Sequence, residues 1–497
     1  MPRCGMAPVF STLSGVTMSS LLEDSTASAQ TAALHPHGGC WSTLREAIRG
    51  SSIDYTTAPI GRAIVMLAVP MVMEMAMESI FAVADIFWVA HLSADAVATV
   101  GLTESMLTII YTVAMGLSIG ASALVARRTG ERDLDGASRA AAQTILLGVF
   151  ISFLIGGFGA WQGADLLRMM GASPQVVASG SGFTRTMLGG SMTVVLLFLI
   201  NAVFRGAGDA AIAMRVLWLG NFINIVLGPC FIFGVGPFPE LGVTGAAVAT
   251  TIGRGSAVVF QIVTLAHGRG RVQIGLRHLR VHIGTMLTVL RLSGSGMIQI
   301  LIGTASYVAL VRLLSVFGSS ALAGYTIGIR VIIFALLPSY GISNAAATMV
   351  GQNLGAKRPD RSEQAVWTAA FYNMLFLGAV GAVFLAAAPL IVRIFTSEAE
   401  VAAYAVACLR IVSLGFVFYA YGMVLTQSFN GAGDTRTPTL INLFVFWLFE
   451  IPLAWLLSRN AGFGPSGIFI ALALAYSILA LISAVLFKRG RWRRVAL

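Results

Sequence analysis

The sequence predicts an all-α polytopic membrane protein: about twelve transmembrane helices in two parallel six-helix repeats that form two lobes. Three observations carry this. The first is composition. Of 497 residues, 57% are hydrophobic and 11% charged, with a mean hydropathy of +0.84, whereas soluble domains carry about 25% charged residues. The second is length: runs such as TVVLLFLINAVF and ALALAYSILALISAVLF lie in stretches able to cross about 30 Å of hydrocarbon as helices. The third is internal repetition. FRGAGDAAIA from Phe204 returns as FNGAGDTRTP from Phe429, placing Asp209 and Asp434 225 residues apart.

Taken in order, residues 1–60 are rich in Ser, Thr and Ala and read as a disordered extension, with a short amphipathic helix around WSTLREAIRG. They lack the basic, apolar and small-residue succession of a secretory signal. Apolar runs then give span cores at 64–90, 97–125, 138–160, 178–203, 212–235 and 242–265, and at 286–316, 322–350, 364–388, 402–428, 438–458 and 467–487. This divides the chain into an N-lobe at 61–268, a linker at 269–285, a C-lobe at 286–488 and a basic tail at 489–497. Arginine and lysine cluster after spans two, six and eight and in the tail, while the opposite loops offer little beyond Arg168, Arg393 and Arg459. This asymmetry places both termini, the linker and the tail in the cytoplasm. It also accounts for most of the net charge of +11 without a nucleic-acid partner. At the same offset, Gly116 meets Gly341, Ser118 meets Ser343 and Gly130 meets Gly355. Six spans separate the copies; because six is even, both copies run the same way through the membrane, related by an axis along its normal. The four cysteines (Cys4, Cys40, Cys230, Cys408) are scattered and suggest neither a disulfide framework nor a metal site.

The paired Gly-Ala-Gly-Asp turns look like fragments of a phosphate loop, but no GxxxxGK[ST] or strand-linked GxGxxG accompanies them. They read better as helix-to-helix turns. Gly206 and Gly431 would end a helix in the left-handed conformation, and Asp209 and Asp434 would cap the next helix. Pro438 sits in that helix's first turn. The other reading is a gating role for Arg205 or Asp434.

Carboxylates inside spans are functional candidates because hydrocarbon disfavours charge. Span one holds Glu74, Glu78 and Asp85; at 100° per residue Glu78 lies about 40° and Asp85 about 20° from Glu74, so all three share one stripe. Such a stripe must face protein or water, relaying protons, attracting cations or pairing with arginine. Pro70 can bend this helix and is the expected hinge. In span five, Asn221, Asn224 and Gly228 are close in angle; these amides can bind a carboxylate, ligate a cation or bond neighbouring helices. Glu450, two residues before Pro452, is the clear carboxylate of the second half. Gln299, Tyr307 and Tyr419 lend that half a neutral polar character and are candidates for a substrate cavity. The span interiors are otherwise almost free of Arg and Lys, except Arg312 and Arg330.

At these residues the chain resembles the multidrug and toxic compound extrusion (MATE) family over about 60–490. Pro70 followed by VADIFWVAHLSADAVATVGL resembles the family's Asp-bearing first helix. NIVLGPCFIFG with LGVTGAAVAT resembles its fifth and sixth spans. GISNAAATMVGQNLGAKRPD resembles its eighth, and the paired GAGD turns resemble its cytoplasmic turns. The resemblance implies export of organic, often cationic, compounds or amphiphiles against inward H⁺ or Na⁺ flow, with no other cofactor, by a multi-pass monomer in a bacterial plasma membrane. It implies a cation site at Asp85 and Asn224, with Thr250 as a further ligand; Glu78 and Glu450 are additional coupling candidates. Gly228 stands where many members carry a second Asp, and Gly303 or Thr304 and Tyr419 stand where one branch carries C-lobe carboxylates. The first is a departure from the family that weighs against a Na⁺ site; in the second respect the chain is similar to the DNA-damage-inducible branch. The expected mechanism is proton-coupled antiport. Asp85 takes a proton from outside, span one bends near Pro70 and substrate leaves outward. The alternative is a lipid-linked oligosaccharide or lipid flippase of the same superfamily, which would want a basic central cavity. The sequence shows no catalytic constellation for an enzyme and no nucleotide-binding domain for an ATP-driven pump.

Overall fold

A computed structural model describes residues 40–50, 53–495 and 497; of Cys40, Val83, Asp85, Ile86, Ala90 and Ala94 it describes the backbone alone. A short helix α1 (Cys40–Arg49) precedes the spans. The first half comprises α2 (Ile60–Ala90), α3 (Ala94–Gly130), α4 (Leu134–Met169), α5 (Pro174–Gly189), α6 (Ser191–Ala207), α7 (Ala210–Phe233) and α8 (Val243–His267). The second half comprises α9 (Ile283–Leu314), α10 (Ser319–Gly355), α11 (Pro359–Arg393), α12 (Ala399–Ser413), α13 (Phe416–Ala432), α14 (Arg436–Asn460) and α15 (Pro465–Lys488). Helices α5 and α6 together make one span, Pro174–Ala207. Its counterpart, α12 with α13, is bent by 60°. Counting that bent pair as one span gives twelve.

The short amphipathic helix expected around WSTLREAIRG is α1, whereas the disorder expected up to residue 60 is corrected over 53–60, which pack against both halves. Residues 1–39 lie outside the described residues. Tyr55 is buried at 3% exposure, and its hydroxyl donates to Gly208 O at 3.2 Å. The connector from residue 53 to Ala58 is ordered because arginines of the linker and of the second half take its carbonyls. Arg271 binds Ile53 O, Arg358 binds Thr56 O at 2.9 Å, and Arg361 binds Ala58 O.

Shifted by 225 residues, every first-half helix lands within four residues of a second-half helix, and α3 and α6 land on α10 and α13 to the residue. The match extends to the backbone. Arg132 (φ 61°) and Lys357 (φ 59°) are the positive-φ non-glycines among the described residues, and they too are 225 apart.

The halves are not packed as two independent bundles. The first helix of each half packs chiefly on the second helix of the other: α2 on α10, and α9 on α3. Two equivalent glycines permit this. A Cβ on Gly341 would lie 2.7 Å from Val72 N, and one on Gly116 would lie 2.9 Å from Met297 N. Only glycine lets these backbones approach so closely. The apolar cores follow the exchange. Ile64, Leu67 and Met71 of α2 belong to the second-half core, and Val289 of α9 belongs to the first.

On the face that carries the described chain ends, α3 and α10 meet backbone to backbone. A Cβ on Gly130 would sit 1.9 Å from Gln352 O, and one on Gly355 would sit 2.2 Å from Arg127 O. Gln352 Nε2 donates to Gly206 O at 2.9 Å, and Thr348 Oγ1 to Arg205 O at 3.2 Å. Arg127 reaches Val495 O from the other half. These contacts form a seal across the two lobes.

The GAGD turns sit in this seal, and two expectations about them are corrected. The left-handed caps are Gly208 (φ 92°) and Gly433 (φ 85°), not Gly206 and Gly431. Those two glycines serve close approach instead: a Cβ on Gly206 would meet Ser122 O at 2.7 Å, and one on Gly431 would meet Ala347 O at 2.2 Å. Asp434 caps as expected, accepting from Thr437 N at 3.2 Å and Thr437 Oγ1 at 2.6 Å. Asp209 does not cap α7. It accepts from Arg271 N at 2.6 Å, pinning the linker to the turn. Burial raises its carboxyl above the usual 3.8, outweighing the Arg271 hydrogen bond and charge.

Candidate functional site

Two members of the acidic stripe of α2, Glu74 and Glu78, meet polar side chains of the first half. Glu74 is 2% exposed and accepts from Arg205 Nη1 at 2.6 Å and Asn201 Nδ2 at 3.1 Å. Asn201 Oδ1 in turn accepts from Gln261 Nε2 at 2.7 Å. The chain thus links α2, α6 and α8. One turn on, Glu78 accepts from Asn221 Nδ2 at 3.3 Å and lies 4.0 Å from the Arg254 guanidinium. Arg254 donates to Tyr111 Oη at 3.1 Å and stands over the Phe81 and Tyr111 rings at 5.4 and 5.9 Å. Of the sequence's options for these carboxylates, arginine pairing is the one adopted by Glu74, and Glu78 lies at the margin of it.

Asp85 lies further along α2; its side chain is outside the described residues. The structure brings two of its expected partners together: Asn224 Nδ2 donates to Thr250 Oγ1 at 2.7 Å, both buried. They meet because α7 and α8 touch through glycine, a Cβ on Gly253 falling 2.5 Å from Gly220 O. Gly228 is different. A Cβ there would lie 3.7 Å from Trp88 Cδ1, an ordinary contact, so packing does not demand glycine. Pro70 is buried inside α2, which runs on as one helix.

The second half answers with other chemistry. Gln299 occupies the position equivalent to Glu74, Gly303 that of Glu78, and the buried Leu310 that of Asp85. Glu450 is 1% exposed and accepts from Ser306 Oγ at 3.1 Å; its second oxygen, like the Gln299 amide oxygen, has no hydrogen-bond partner among the described residues. It ends a π-type turn, Leu443–Glu450, that precedes Pro452, whose missing N–H disturbs the ordinary helical ladder. Around it stack tyrosines: Tyr419 on Tyr476 at 3.8 Å, and Tyr325 between Tyr307 and Phe469 at 6.2 and 6.1 Å. Of the expected cavity residues, Tyr307 is 40% exposed, whereas Tyr419 is buried against Tyr476.

Sequence reasoning missed several charges within the spans, one of them buried. Arg254 lies in the middle of span six, and a charge in a membrane helix was signal enough to find it. Glu104 on α3, Arg185 on α5 and Arg410 on α12 also lie within spans, but are exposed.

Twelve spans in two exchanged, parallel six-helix repeats, with a buried ion pair inside one lobe and a buried carboxyl inside the other, define a two-lobed membrane transporter fold. The chain belongs to the MatE family, whose model matches residues 70–230 and 296–456. It is 26% identical over 440 residues to a probable multidrug resistance protein NorM of Thermotoga maritima, covering 88% of this chain and 94% of that one. It is 22% identical to an FAD transporter of Shewanella oneidensis, covering 87% and 95%. Among solved structures it matches an outward-facing multidrug resistance MATE family transporter of the MOP superfamily. There the TM-score is 0.83 and the identity 26%, over 89% of this chain and 98% of that one.

Proposed function

We propose that this chain is a secondary antiporter that exports organic, often cationic, compounds in exchange for inward protons, within the N-lobe-coupled, DNA-damage-inducible branch of its family. The observation that carries the reading is the polar asymmetry of the lobes. Three carboxylates sit on one stripe of α2, with Asn221, Asn224 and Thr250 on the helices beside it, while the equivalent second-half positions are Gln299, Gly303 and Leu310. Glu74 is tied to Arg205 and Asn201, and Glu78 to Asn221. Asp85, the third carboxylate of the stripe, is assigned to proton exchange, with Asn224 and Thr250 proposed as its polar partners. Substrate and proton must favour different states for exchange to be obligatory. Gly228, in place of a second acid, weighs toward H⁺ over Na⁺. Glu450, with an oxygen lacking a partner, is assigned a second protonation site in the C-lobe. Arg205 and Arg254 lie beside carboxylates, which leaves little of the basic cavity a lipid-linked flippase would need.

The test is uptake of a fluorescent organic cation by everted vesicles under ΔpH and ΔpNa imposed separately. Export driven by ΔpH and abolished in Asp85→Asn, with the variant normally folded, is expected. Transport driven by ΔpNa alone, or unchanged in Asp85→Asn, sinks the proposal.

A further inference from the structure

We propose that the groove between α14 and α15, on the face that carries the described chain ends, is a binding site for an anionic phospholipid. The groove has a volume of about 290 Å³. Its walls are apolar: Leu440 and Phe444 of α14 face Ile482 and Leu486 of α15. Leu440 is 65% exposed and Phe444 47%. From Thr437 to Phe444 the wall rises by about 10 Å along the helix, so the groove follows the membrane normal and takes the upper part of an acyl chain.

Arg489 and Arg491 stand at its mouth, where α15 ends. Both are exposed, and among the described residues no carboxylate lies within salt-bridge distance of either. Two of their neighbours are engaged. Arg493 bridges Asp360 at 2.9 Å and also Glu363, and the Lys488 ammonium stands 5.9 Å over the Trp367 ring. One carboxylate, Asp434, lines the groove and opposes an anion there. It is already held by the Thr437 amide and hydroxyl.

Two unpaired guanidinium groups at the headgroup level, above an apolar channel open to lipid, match a phosphodiester that bears acyl chains. Guanidinium binds phosphate oxygens in a planar fork, and basic clefts between membrane helices collect anionic lipids. Free inorganic phosphate would meet the arginines but leave the channel walls unused. A zwitterionic lipid would fill the channel but bring its own cation to the mouth.

The experiment is native mass spectrometry of the purified full chain in non-ionic detergent, titrated with dioleoyl phosphatidylglycerol, dioleoyl phosphatidylcholine or inorganic phosphate. Phosphatidylglycerol should be retained about tenfold or more tightly than phosphatidylcholine, and phosphate should not displace it. R489Q/R491Q should lose that preference, and L440W, which fills the channel without changing charge, should weaken lipid retention. R269Q/R280Q removes the same charge from exposed positions elsewhere on this face and should retain it. Equal retention of the two lipids overturns the proposal, as does unchanged phosphatidylglycerol binding in R489Q/R491Q. Displacement by phosphate, with L440W behaving as wild type, would assign the arginines to a free anion and overturn it as well.

Discussion

Glu74 and Arg205 form the most enclosed ion pair of the molecule's described residues, with side chains 2% and 13% exposed. Removing one member of such a pair strands a buried charge, at a cost of about 3–5 kcal/mol. Arg205→Ala should therefore lower thermal stability strongly. Glu74→Gln combined with Arg205→Ala should recover part of the loss, because no lone charge remains; strictly additive effects in the double-mutant cycle would contradict direct coupling. The Arg205 backbone oxygen also accepts from Thr348 of the other half, so the pair ties the first helix to the seal. At this scale the sequence was informative about charges and silent about partners. The stripe on α2 followed from helical periodicity alone. Arg254, Asn201 and Gln261 come from elements remote in sequence, and only packing brings them to the stripe.

Among elements, the connector between α1 and α2 does the most with the least secondary structure. Tyr55 is wedged against the first GAGD turn, its ring 4.9 Å from the Arg271 guanidinium, and burial pushes its hydroxyl up to about 12. Tyr55→Ala should cost about 3 kcal/mol and loosen the seal, read as faster maleimide labelling of a cysteine placed at Thr348. Unchanged labelling would show that the connector is a passenger. The Asp209 contact adds a pH dependence. Its folded-state value is raised above 3.8 by burial, so its contribution to stability is fully present below 3.8 and is lost as pH rises through the folded value. Asp209→Asn should flatten that part of the stability-against-pH curve. Gly130→Ala forces a Cβ onto Gln352 O and should destabilise by about 1–3 kcal/mol, measured by thermal unfolding in detergent. The helices themselves were legible from apolar run length, and the twelve spans fall close to where those runs lie. The bend between α12 and α13 was not. The breaks fall at equivalent glycines, Gly190 and Gly415, and nothing in the sequence marks which of the two spans bends.

For the whole molecule, the repeat was legible because matching glycines and turn residues survive at one offset, and those positions are the ones where backbones touch. Which helix pairs with which was not legible. Membrane helices are apolar on every side, so they carry little of the one-sided pattern that tells a soluble helix where its partner lies. The shared scaffold and unlike interiors mean that duplication preserved the packing surfaces while the polar contents diverged. One half holds an acid stripe beside arginines and asparagines; the other holds a lone Glu450 among tyrosines.

The exchanged first helices make the molecule resemble a domain-swapped dimer whose two protomers were later fused. Each half buries a helix the other cannot do without, and the covalent join is incidental to that grip. Gly275, in the join, is exposed with open space around it. A gene cut there and expressed as two polypeptides should yield fragments that find each other in the membrane and co-purify through a tag on either one, the two chains swapping their leading helices as the intact protein does.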